Sequence, residues 1–145
     1  MEIIPILYKT KDEYGDFNWM IRQSEFDDIL FIFNDNEEYH YTNKIGKGNA
    51  IIRYYNNYNK NLIKPRSAGI PTGNFKNFGY KSLNIDNKKI INDAINEIKL
   101  IIKKYKYKKI AYSADEKNIL GTLLFKVDII VLHYITLYYK RNNET

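Results

Sequence analysis

The stretch Asp28–Arg53, DILFIFNDNEEYHYTNKIGKGNAIIR, decides how the chain is read. Ile29–Phe33 is apolar without alternation, the pattern of a strand covered on both faces. The run stops at Asn34-Asp35-Asn36, whose side chains bond nearby backbone groups and so favour a turn. In open α/β sheets ligands gather beyond the carboxyl ends of the strands, which puts these three residues where a binding site is expected. Glu37–Ile45 is polar and aromatic and reads as a lid-like loop. Gly46-Lys47-Gly48 follows, where glycine lets backbone amides approach a ligand closely. Asn49 supplies a cap for a helix beginning AIIRYYNNY. Amides at such a start, together with the helix dipole, favour an anion. Strand, glycine turn and helix in this order make a phosphate cradle. The spelling is neither GxGxxG nor a Walker sequence, and an ordinary glycine turn explains Gly46 and Gly48 equally well. Lys47 either adds a point charge to the cradle or faces solvent.

Outward from this stretch the chain alternates strands and helices. Glu2–Tyr8 reads as a first strand, and Pro5 assigns it to a sheet edge because proline cannot donate to a ladder. Trp19 lies in NWMIRQSEF, a segment that suits a short helix or a strand. Ser67–Gly73 reads as a very short strand breaking into a rigid Gly-Ile-Pro-Thr-Gly turn, and Asn74–Leu83 as a long loop. Asn87–Tyr105 is a helix with Ile91, Ala94, Ile95, Ile98, Ile101, Ile102 and Tyr105 on one apolar face, capped by Asp86 or Asn87. Lys109–Ser113 is a further strand, and residues 127–138 form a closing helix. This alternation predicts an α/β fold: a single compact domain, residues 1–145, with a mostly parallel or mixed sheet and flanking helices. Three turns would then share one sheet edge: Asn34–Asn49, Gly69–Gly73 and Ser113–Thr122.

Composition narrows the chemistry. The 145 residues include no cysteine and only two histidines, His40 and His133, so thiolate and multi-histidine metal sites are excluded and neither metal nor cofactor is expected. The formal charge of +6 admits a polyanion partner. The joint richness in Lys, Asn, Ile and Tyr also fits an AT-rich coding composition, which would make the basicity incidental. No amino-terminal signal pattern and no apolar run of bilayer length is present, so the expectation is a soluble intracellular protein, or a virion component if its source is a virus.

The segments FIFNDN (31–36), GKGNAIIR (46–53), AGIPTG (68–73), YSAD (112–115) and LGTLLF (120–125) follow one another in an order that resembles a macro-domain-like α/β family of bacteria and viruses. The resemblance covers the chain from Asp28 to Tyr138 and implies binding of ADP-ribose or a related diphosphate, with hydrolysis of ADP-ribosyl linkages in some members. It assigns Asn34 and Asn36 to the distal ribose and Asp28 to adenine. Gly46, Gly48 and Gly121-Thr122 take the phosphate-side turns. Lys47, Asn49, Gly69, Thr72, Gly73, Ser113 and Asp115 complete the expected lining. Asp35 is the candidate carboxylate for activating water, on position alone.

Two other classes compete with this reading. One is a non-catalytic interaction protein that uses exposed tyrosines, with Tyr54, Tyr55 and Tyr58 forming a patch for self-association. The other is RNA or DNA binding through the lysine-rich end Lys99–Lys109, interleaved with Tyr105 and Tyr107.

Overall fold

The central strand, β2 (Ile29–Asn36), is buried at all eight positions: the apolar run Ile29–Phe33 does not stop at a turn but continues as strand through Asn34, Asp35 and Asn36, whose extended backbone is held by pairing with the neighbouring strand Ser67–Gly73. The structure is a computed structural model that describes residues 2–76 and 79–114. These residues form a single small α/β domain. Its strands are β1 (Glu2–Leu7), β2, β3 (Ser67–Gly73) and β4 (Lys109–Ala114), in the order β1-β4-β2-β3. Every pairing is parallel, so the described sheet is parallel throughout rather than mixed. β1 lies at one edge, where Pro5 is tolerated, and β3 lies at the other.

Alternation along β2 divides the core between the two faces. Leu30 and Ile32 pack with Ala68, Ile70, Ile110 and Tyr112, under a long helix α2 (Ile85–Tyr105). Phe31 and Phe33 pack on the opposite face with Phe17 and Met20 of the short helix α1 (Phe17–Met20). Ala50 and Ile52 join that second cluster. Trp19 lies in α1 and is partly buried against the same cluster, which resolves its segment as helical.

α2 starts earlier than its apolar face suggests. Asn84 is the N-cap: its Oδ1 accepts from the Asn87 N–H at 2.9 Å, and Asn87 Oδ1 accepts from the Asn84 N–H at 2.9 Å. This reciprocal box corrects the expected cap at Asp86 or Asn87, because Asn87 serves at the third helical position instead. The helix ends at Lys106, which adopts the left-handed conformation (φ 59°) and donates its N–H to Ile102 O.

Two further elements differ from expectation. The segment after the glycine turn is a 3-10 helix, Gly48–Tyr55, capped by Lys47 and not by Asn49. With three residues per turn, Ala50 and Arg53 share its inward side, and both are buried. Gly-Ile-Pro-Thr-Gly is not a turn but the second half of β3. Pro71 is accommodated because, among the described residues, β3 has no outer neighbour to receive an N–H bond. Asp35 pairs with Pro71 and Asn36 with Gly73, which leaves Thr72 as the extra residue of a β-bulge.

Candidate functional site

β2 leaves the sheet toward the 3-10 helix on one face, and β3 leaves toward α2 on the other. Departure to opposite faces opens a crevice at the carboxyl edge, where such folds place ligands. Most of the expected site residues stand at this edge, but they divide into three environments.

The first is a closed ionic cluster. Asp35 is 1% exposed. Its Oδ1 accepts from Arg53 Nε at 2.8 Å, from Arg53 Nη2 at 2.5 Å and from the Asn36 N–H at 2.9 Å. Its Oδ2 lies 3.0 Å from His40 Nδ1. Arg53 (3% exposed) also donates from Nη1 to Lys44 O at 2.9 Å, and Asn56 Nδ2 donates to Thr42 O at 2.6 Å. These bonds pin the loop read as a lid onto the 3-10 helix. His40 Nε2 faces Glu97 Oε1 at 3.7 Å, and Tyr58 OH donates to Glu97 Oε2 at 2.5 Å. Burial, with that bond second, pushes the Tyr58 hydroxyl well above the usual phenol range. Gly69 belongs to this cluster: a Cβ there would lie 2.4 Å from Asp35 Oδ2. Its lack of a side chain makes room for the carboxylate, not for a ligand. Gly46 is similarly committed. Its N–H donates to Ala50 O at 3.1 Å, and a Cβ would meet Ala50 and the Arg53 guanidinium.

The second environment is open. Gly48, with positive φ (58°), and Asn49 line a cavity of about 280 Å³ with Tyr8, Lys11, Asp16, Asn18 and Ile51. Asp16 caps α1, its Oδ1 accepting from the Asn18 N–H at 3.1 Å, while its Oδ2 accepts from the Asp12 N–H at 2.8 Å. Asn49 Nδ2 donates to Ser113 Oγ at 2.7 Å and so ties the glycine turn to the end of β4. Lys47 is exposed beside it.

The third is buried and unsatisfied. Among the described residues, neither Asn34 Nδ2 nor Asn34 Oδ1 has a partner, although the residue is 8% exposed. Thr72 Oγ1, in the bulge, is likewise buried without a partner there. Asn36, by contrast, spends its Oδ1 on the Tyr39 N–H at 2.9 Å, and Gly73 spends its carbonyl on the Glu37 N–H at 3.0 Å. Past the bulge, Glu37, Asn74, Tyr80, Asn84, Asp86, Asn87 and Ile90 line a second cavity of about 260 Å³. Tyr80 OH donates to Glu37 there, and burial followed by that bond raises its ionisation far above the phenol range.

Asp28 stands apart from all three. It precedes β2, at the amino edge of the sheet, and pairs with Lys109 Nζ at 3.1 Å, which lowers its ionisation below the ordinary aspartate value. The expectation that it meets adenine beside Asn36 fails on position, because the length of β2 separates them. Asp115, Gly121, Thr122, His133 and the closing helix lie outside the described residues. The tyrosine patch is divided: Tyr54 and Tyr55 meet edge to face with centroids 5.2 Å apart, while Tyr58 turns to Tyr41, His40 and Glu97.

Sequence reasoning missed Tyr8, Lys11, Asp16 and Asn18 on the cavity wall, and Arg53, His40 and Glu97 around Asp35. Asp16 carried a usable signal, since an aspartate immediately before Phe-Asn-Trp-Met is a helix cap. Among the described residues no cluster of His, Asp or Glu is arranged to hold a metal ion, and no helix is long and apolar enough to cross a membrane. Comparison of the chain with protein-family models, with curated proteins and with solved structures finds no match.

Proposed function

We propose that the carboxyl edge of the sheet binds a nucleotide-type ligand, ADP-ribose or a related diphosphate, in a fold of the macro-domain kind. The observation that carries this reading is the cavity where the end of β1, the start of α1 and the Gly48-Asn49 turn converge. Its volume of about 280 Å³ is near the lower end of small-molecule sites and suits one half of a dinucleotide. Lys11 supplies a cation for a phosphate. The Asn18 and Asn49 amides supply donors and acceptors for a base or sugar edge. Tyr8 and Ile51 supply apolar contact. Gly48 keeps the backbone close to the ligand, and Asn49 is held in place by Ser113.

Asn34 stands at the same carboxyl edge but, by the alternation that puts Leu30 and Ile32 under α2, on the other face from the cavity, so a ligand reaching both would cross the edge. A buried carboxamide without partners costs free energy that a bound hydroxyl pair, one donor and one acceptor, would recover. A ribose diol has that pair, in keeping with the role the macro-domain resemblance gives Asn34. The reading stops at binding. Asp35, the one carboxylate considered for hydrolysis, has both oxygens occupied by Arg53, His40 and the Asn36 amide.

Isothermal titration calorimetry with ADP-ribose, NAD and ADP tests the proposal. ADP-ribose is expected to bind saturably, with affinity about tenfold lower in Lys11→Ala and in Asn18→Ala, a loss of about 1.4 kcal/mol. Both side chains are on the cavity wall rather than in the core, so their circular dichroism should match the parent protein. No saturable binding of any of the three ligands at millimolar concentration overturns the reading.

A further inference from the structure

The opposite end of the molecule carries a different surface. Lys99, Lys103, Lys104, Lys106 and Lys108 crowd the last turns of α2 and the approach to β4. All five are exposed, and none has an ion pair among the described residues. The acids at this edge are engaged elsewhere: Asp28 pairs with Lys109, Asp27 with Arg66, and Glu2 acts on Lys109. Complementing the negative end of a helix accounts for cations in the last turn, here Lys103, Lys104 and Lys106. It does not account for Lys99, a turn earlier, or for Lys108, beyond the helix.

We propose that this end of α2 docks on the phosphate backbone of a nucleic acid without reading its sequence. Lys99 and Lys103 share one face of α2 by i, i+4 spacing, and Lys106 follows at the left-handed C-cap, so the three span about 10 Å along the axis, the rise of about three phosphates along one strand. Base stacking is not part of the contact. Tyr107 is buried with its hydroxyl donating to Pro65 O at 2.6 Å, and Tyr105 packs against the core cluster. Without a free aromatic platform or an acceptor-bearing side chain among the five, what remains is counterion release, which depends on charge and not on base identity. The surface is separate from the nucleotide cavity, which lies at the carboxyl edge of the sheet.

Fluorescence anisotropy of the full chain with a labelled duplex of about 20 base pairs, from about 50 mM to about 200 mM salt, reads the proposal directly. Five phosphate contacts give a slope of log K against log salt of about −4.5. Lys99→Gln/Lys103→Gln/Lys106→Gln is expected to make that slope shallower by about 2.7, and Lys108→Gln, outside the helix, by about 0.9. Unrelated duplex sequences should bind within about threefold of one another. Absence of binding at the lowest salt overturns the proposal, as does an unchanged slope in both variants. Binding to vesicles rich in phosphatidylserine without binding to duplex would assign the patch to a membrane surface and also overturn it. ADP-ribose calorimetry on the same variants should be unaltered.

Discussion

Two polar regions meet at the carboxyl edge of this sheet, and they differ in whether their hydrogen-bonding capacity is used up. Around Asp35 both carboxylate oxygens are spent on other parts of the chain: two bonds from Arg53, one from the Asn36 amide, one contact with His40 (whose Nε2 alone keeps no hydrogen-bond partner among the described residues), and Gly69 stripped of a side chain to let the carboxylate in. Around Gly48 the polar groups of Lys11 and Asn18 line open space, beside Asn49, whose Nδ2 is tied to Ser113. Density of polar residues therefore does not mark a binding site; unspent capacity does. The closed cluster holds the 37–45 loop and the 3-10 helix in position, and the open rim is what that scaffold presents.

The contrast can be broken by mutation. Arg53→Ala leaves Asp35 buried without its main counter-charge, and loss of one partner of such a pair costs about 3–5 kcal/mol. Urea unfolding should show that loss, while Arg53→Ala/Asp35→Leu should recover a large part of it. A single variant within about 0.5 kcal/mol of the parent would show the cluster to be dispensable. Gly69→Ala comes next. Its methyl group would sit 2.4 Å from an oxygen that Arg53 and His40 hold still, and overpacking of this kind costs about 1–3 kcal/mol. The thermal midpoint should fall, and an unchanged midpoint would mean that Asp35 is free to move. The smallest stability effect belongs to Asn34→Ala. Removing an amide that has no partner among the described residues should change stability by less than about 1 kcal/mol, in either direction, while weakening ADP-ribose binding about tenfold. A large stability loss with unaltered binding would move Asn34 from the open class to the closed one.

Much of the fold was legible because it rests on short-range pattern. The unalternating Ile29–Phe33 run gave a central strand, the isoleucine spacing gave α2, and Pro5 gave an edge. What escaped depends on contacts between distant segments. Ser67–Gly73 contains two glycines and a proline, each unfavourable for a strand, yet the position beside β2 overrides them: the edge tolerates Pro71 and the carboxylate of Asp35 fills the space over Gly69. Arg53 looks like an ordinary surface cation until the three-residue period of its helix turns it inward. The site shows the same division. Gly48 was marked by its glycine turn and Ser113 by its place at a strand end, while Asn49, expected as a helix cap, instead bonds Ser113; Lys11, Asp16 and Asn18 join them only because β1 ends beside the glycine turn.

The position of β4 has a consequence for how the chain reaches this structure. β4 is the last described strand in sequence but sits between β1 and β2, pairing Glu2 with Lys109 on one side and Ile29 with the same Lys109 on the other. During synthesis β2 and β3 can pair across the crossover of residues 37–66, but among the described strands β1 has no neighbour until the ribosome has released β4. β1 must therefore wait for β4, carrying an edge unpaired by any described strand meanwhile. Closing so long a loop is entropically costly, which places folding in the slower range for domains of this size. The waiting strand is also the segment where a chaperone, or a neighbouring chain, would find its earliest opportunity.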